Sequence, residues 1–185
     1  MTMGANPFHK WGVGRSLCFA LFLMGGVVMG GALARADVSG PACVTDGGHL
    51  TINGHRSYGV CSGGTPAVLV DIDAPTIKQT CQDPKGNPWE CGRWAAYVLL
   101  ELTKKQTVTC KGNSTDMNGD LVAVCYAKGR ELNRTMVELG WALPMVGEGG
   151  PYAAELEHAR AKKLGLWQGR FERPSIWRAK HGEAQ

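Results

Sequence analysis

The chain has 185 residues, 20 Lys and Arg against 16 Asp and Glu, a formal charge of +4 and seven cysteines. This length suits one domain with one core rather than several. Three of the four units of net positive charge sit near the N-terminus, so composition excludes a strongly basic protein that grips nucleic acid through its backbone.

Residues 1–36 read as a secretion signal. Lys10 and Arg15 make a positive start, Leu17 to Ala34 is an apolar run, and Ala34-Arg35-Ala36 places small residues where a signal peptidase cuts. Cleavage is expected after Ala34 or Ala36. A retained membrane anchor is the alternative, since a span needs about 20 apolar residues. The pairs Gly25-Gly26 and Gly30-Gly31 favour removal. Lys10, Arg15 and Arg35 leave with the signal, so the mature chain carries seventeen basic against sixteen acidic residues. A periplasmic or secreted protein, free of the membrane once cut, is the expectation, with residues 37–185 as its single domain.

The first half of that domain reads as short strands: Ala42 to Thr45, His49 to Asn53, His55 to Val60 and Ala67 to Ile72. Turns such as Asp46-Gly47-Gly48 and Ser62-Gly63-Gly64 separate them. Pro88 to Lys104 places Ala95, Val98, Leu99 and Leu102 at helical spacing and predicts an amphipathic helix. Two strand-like runs follow, Gln106 to Lys111 and Leu121 to Tyr126. Helices are predicted over Glu131 to Leu139, stopped by Gly140, and over Tyr152 to Lys163, stopped by Gly165. The tail, Leu166 to His181, sets Trp167, Phe171 and Trp177 among basic residues. The fold class expected is α+β and mainly β, a small Greek-key barrel with about three packed helices.

Cys18 falls in the signal, which leaves Cys43, Cys61, Cys81, Cys91, Cys110 and Cys125. An even number in an exported domain reads as a disulfide framework. Six cysteines allow fifteen pairings, and proximity in sequence favours Cys43–Cys61, Cys81–Cys91 and Cys110–Cys125. A cysteine metal site is the rival. It has no Cys-x-x-Cys pair and no nearby histidine to support it.

Several short matches occur in order along the chain: Asp46-Gly47, Ile72-Asp73-Ala74-Pro75, Cys91-Gly92 before an alanine-rich helix, and Leu121-Val122-Ala123-Val124-Cys125. Leu132-Asn133, Gly140-Trp141-Ala142, Gly165-Leu166-Trp167 and Ile176-Trp177-Arg178 continue the series. In this order and spacing, from Val44 to Arg178, the chain resembles the staphylococcal nuclease (thermonuclease-like) family. The resemblance implies an OB-fold, a five-stranded Greek-key barrel. It also implies a calcium-dependent endonuclease in which two aspartates and a backbone carbonyl hold the ion, a glutamate serves the water, and two arginines clamp the phosphate.

Carried over position by position, most of that machinery is missing. Gly48 stands where the first metal aspartate belongs, while Asp73 and the Ala74 carbonyl match the second aspartate and the backbone ligand. Thr76 replaces the glutamate, Val68 the first arginine and Asp120 the second. Asp71, Asp73, Asp116 and Asp120 are expected to turn the phosphate pocket acidic, which repels a phosphodiester.

The reading is therefore an exported, non-catalytic binding or accessory protein of the cell envelope, inactive by the family mechanism and monomeric. Its partner is an unnamed protein or polysaccharide, and charge does not favour nucleic acid. No cofactor is required, although Asp73 and Asp46, with His49, could accept calcium or another divalent cation. Two alternatives stand beside it. One is an active metal-dependent nuclease on DNA or RNA with rearranged ligands, Asp73, Asp46 and Arg56. The other is an accessory factor in succinoglycan-type exopolysaccharide biosynthesis, a process to which names within the family point.

Overall fold

The computed structural model describes residues 37–146 and 149–182, so the expected signal over 1–36 lies outside the described residues. From the N-terminus come β1 (Val38–Gly40), β2 (Ala42–Val44), β3 (His49–Ile52), β4 (His55–Ser57), β5 (Val60–Ser62), β6 (Thr65–Leu69) and β7 (Ile72–Asp73). There follow β8 (Cys81–Gln82), β9 (Pro88–Trp89), α1 (Cys91–Thr103), β10 (Val108–Thr115), β11 (Leu121–Ala127) and β12 (Arg130–Glu131). The chain closes with α2 (Leu132–Glu138), β13 (Leu143–Pro144), α3 (Ala153–Lys162), a 3-10 turn (Gly165–Gln168) and α4 (Pro174–His181). No helix among the described residues is long and apolar enough to cross a membrane.

The main sheet runs β1-β10-β11-β6-β3-β2, with β12 added on β11, and curls into a half-barrel of the OB type. It has seven strands where five were expected, because the short β1 and β12 extend its edges. Its one parallel pairing joins β11 to β6; α1 lies in the long connection that parallel strands require. Between them the alternating side chains of the sheet and the apolar faces of α1, α2 and α3 enclose Leu50, Ile52, Leu69, Leu99, Met136 and Leu156. Each such residue contributes about 1.5–3 kcal/mol by leaving water.

Four differences from the sequence reading matter. The predicted helix from Pro88 starts at Cys91 instead, because Pro88–Trp89 pairs with Cys81–Gln82 as a small hairpin. His55 to Val60 is not one strand but the two arms of a hairpin, turned at Tyr58 and Gly59, both with positive φ. There are four α-helices among the described residues, not three, since the basic tail forms α4. Finally, β10 runs on to Thr115, with a register shift between Gly112 and Ser114.

Three disulfides brace these elements. Cys43–Cys61 ties β2 to β5, Cys81–Cys91 joins β8 to the start of α1, and Cys110–Cys125 crosses directly between β10 and β11. The closed loops, with sequence separations of 18, 10 and 15, contribute on the order of 3 kcal/mol each by restricting the unfolded chain. At Gly92 a β-carbon would sit 1.7 Å from the Thr76 carbonyl oxygen. Only glycine lets α1 dock that closely on the loop after β7, which explains the Cys91-Gly92 pair.

Asn133, fully buried at the start of α2, holds the parallel strands together. Its Oδ1 accepts from the Cys125 amide at 3.0 Å, and its Nδ2 donates to the carbonyls of Val70 at 2.9 Å and Ala123 at 3.2 Å. Val70 itself donates to Ala123 O. This one amide fixes the chain at the end of β6, where the cleft begins.

Candidate functional site

A cleft of about 320 Å³ opens where β3, β6, β7 and the turn between β10 and β11 meet, with α4 at one side. Its walls are largely aliphatic: Val68, Val70, Ile72 and Val122, with Met117 and Met145 at the mouth. Met117 is 99% exposed and Met145 56%. Charge comes from His49, Asp71, Asp73, Asp116 and Arg178.

Val68 lies across from His49 in the β3–β6 register and lines the cleft, so no cation projects from the position where the resemblance expects an arginine. Asp120 is in the turn above; Asp116 and Met117 of that turn reach the cleft lining, but Asp120 does not. Asp116 is committed to its own turn, accepting from the amides of Asn118 and Asp120 at 2.9 Å each. Thr76 is buried and its hydroxyl has no partner, so it presents no base to a water. Three of the four expected carboxylates, Asp71, Asp73 and Asp116, thus line a largely aliphatic cleft, and Arg178 offsets one of them.

Asp46 folds back on its own turn. Its Oδ1 accepts from the amides of Gly48 at 2.8 Å and His49 at 2.9 Å, and lies 2.8 Å from His49 Nδ1. Burial works against charge on His49. The hydrogen bond and attraction of Asp46, helped by Asp120, outweigh it and hold the imidazole pKa above its ordinary value.

Asp73 is the centre of the site, and its partner comes from the far end of the chain. Arg178 Nη2 donates to Asp73 Oδ1 at 2.7 Å, while Nη1 donates to the Ala74 carbonyl at 3.2 Å. The amide of Ser175 donates to Asp73 Oδ2 at 3.0 Å. Both side chains are almost wholly buried, 9% and 5% exposed. Helix α4 has no capping side chain of its own; Asp73, 102 residues away, takes that place at its positive end.

This arrangement decides the fit of a calcium ion. A hard cation takes about six to eight oxygen ligands. Position 48 offers none, and the two matching oxygens, Asp73 Oδ1 and Ala74 O, both accept from one guanidinium. A fixed positive charge already bridges them. The residues present do not fit the family's calcium ion. Nor is any group of three or more His, Cys, Asp or Glu side chains among the described residues placed to hold a metal. Of the expected set, Asp46 and His49 are in hydrogen-bond contact with each other, while Asp73 lines the same cleft as His49 but is engaged by Arg178 and Ser175.

Arg56, considered as a substitute clamp, is turned away from the cleft. It donates to Gly59 O at 2.6 Å and to Val44 O, and lines a separate hollow beside Tyr97 and Leu100 of α1. The hairpin turn at Tyr58 and Gly59 folds it back on its own backbone. The residue that sequence reasoning missed is Arg178. It belongs to the Ile176-Trp177-Arg178 match, but nothing local signals a contact over 105 residues.

Comparison with known proteins agrees with the fold. The family model described as staphylococcal nuclease homologue matches residues 66–169. The chain is also 29% identical over 142 residues to the succinoglycan biosynthesis protein ExoI of Rhizobium meliloti (strain 1021), across 75% of this chain and 69% of that protein. The chain belongs to the staphylococcal nuclease homologue family.

Proposed function

We propose that this member of the family has given up phosphodiester hydrolysis and serves the cell envelope as a non-catalytic binding or accessory protein. The observation that carries the reading is the Arg178 guanidinium on both Asp73 Oδ1 and the Ala74 carbonyl. With Val68, Thr76 and Asp120 in the other key positions, neither arginine of the family clamp is present, and the one guanidinium lining the cleft, Arg178, is taken up by Asp73 and Ala74. Losing one such donor costs about 10²–10³ in rate, and losing the set costs several powers of ten. Three disulfides suit an oxidising compartment and fit an extracytoplasmic protein. The cleft, in this reading, receives part of a protein or polysaccharide partner.

A narrower version favours exopolysaccharide biosynthesis, supported by the printed name of the rhizobial relative. The test of the main reading is turnover. Oxidised protein is incubated with single-stranded DNA and with RNA, in calcium, magnesium, manganese or zinc, beside Asp73→Ala as the control for contaminating nuclease. No cleavage above that control is expected. Metal-dependent cleavage by the native protein that disappears in Asp73→Ala would overturn the proposal in favour of a nuclease with rearranged ligands.

A further inference from the structure

Away from the cleft, three tryptophans line one small cavity. Trp89 of β9, Trp94 in the first turn of α1 and Trp141 after α2 line an open hollow of about 360 Å³, together with Asp83 and Gln168. Trp94 is 53% exposed and meets Tyr97 edge to face at 5.7 Å, so part of its ring is open to a ligand. Trp89 and Trp141 stand nearly perpendicular, at 78° with centroids 6.0 Å apart, so they make adjoining walls rather than one flat platform. A flat base or sugar ring stacks best on a platform. A compact, roughly spherical group fits a corner of indoles.

The remaining wall holds Asp83 and Gln168, with the Arg170 guanidinium near Gly86 of the same turn. Asp83 is fixed by its own turn, accepting from the amides of Lys85 and Asn87 at 2.8 Å each and from Asn87 Nδ2 at 3.0 Å. Arg93, beside Trp94 in sequence, is paired with Glu90 at 3.5 Å, so that cation is partly offset. Aromatic faces with a carboxylate attract a cation, most strongly one whose own hydration is weak. A trimethylammonium group has that property: it is round, apolar at its surface and permanently charged.

We propose that the Trp89–Trp94–Trp141 cavity is a binding site for a quaternary ammonium group, with Asp83 as its counter-charge. Choline, glycine betaine and the headgroup of phosphatidylcholine share this chemistry. The site is independent of the cleft and of its loss of catalysis.

The test uses the oxidised protein and tryptophan fluorescence, confirmed by calorimetry, with choline, tetramethylammonium and 3,3-dimethylbutanol, the uncharged shape analogue of choline. Both cations should bind saturably and the alcohol at least about tenfold more weakly. Trp94→Leu, a change at a half-exposed position, should weaken choline by about tenfold or more, and Trp94→Tyr should retain most of the affinity. Co-sedimentation with phosphatidylcholine but not phosphatidylglycerol vesicles would identify the ligand as lipid; choline binding without it would identify a free solute. The proposal is overturned if neither cation saturates below about 10 mM, if the neutral alcohol binds equally well, or if Trp94→Leu leaves choline binding unchanged.

Discussion

Arg178→Met is expected to lower the unfolding free energy by about 3–5 kcal/mol, the cost of leaving a buried carboxylate without its partner. For a domain of this size that is a fall of about 10–15 °C in melting temperature. The loss is larger than a surface ion pair would give, because Asp73 and Arg178 are 5% and 9% exposed. Asp73→Asn alone should cost a comparable amount by stranding the guanidinium. The double change Asp73→Asn with Arg178→Met should cost clearly less than the two single losses summed, since neither charge then remains buried alone. Urea unfolding of the oxidised proteins gives the cycle. Strict additivity would mean that the pair does not hold α4 to the barrel.

The second large effect is expected at Asn133. Asn133→Leu keeps the γ-branched shape in a larger side chain and removes three hydrogen bonds at the junction of β6, β11 and α2. The Cys125 amide and the Val70 carbonyl would lose the partner that Asn133 provides, at about 1–3 kcal/mol for each buried group. A total of about 2–5 kcal/mol follows. The effect should also be visible locally, as faster amide exchange at Val70 and Cys125 than in the rest of the sheet. A loss under about 1 kcal/mol would show that water or a shifted backbone replaces the clamp.

Much of this protein could be read in its sequence, and the reasons differ from part to part. Helix α1 announces itself because Ala95, Leu99 and the neighbouring apolar residues repeat at a helical period, and Gly140 ends α2 as a left-handed cap would. The substitutions Val68, Thr76 and Asp120 were legible because each occupies a position fixed by a short motif nearby. The second arm of the β8–β9 hairpin, Pro88–Trp89, was read as helix, because Pro88 looks like a first helical residue while the pairing that claims it is only two residues long.

Helix α4 was missed for a related reason. Its Pro174 start and basic surface resemble a tail, and only Pro174 and Arg178 are buried among its residues. Its docking depends on Asp73, and no pattern within α4 points there. The same separation hid the most consequential fact of the site, that the last matching aspartate is already paired with a cation of the chain itself. Arg56 failed as a substitute because a two-residue hairpin turn reversed its strand, and a one-strand reading of His55 to Val60 could not show that.

Arg178 donates to both oxygens that match the family's cation ligands, Asp73 Oδ1 and Ala74 O. Titration of the oxidised protein with calcium, followed by calorimetry and by melting temperature, tests it most directly. No saturable heat and no rise in melting temperature are expected up to about 10 mM. Stoichiometric calcium binding that raises the melting temperature and vanishes in Asp73→Ala would contradict it.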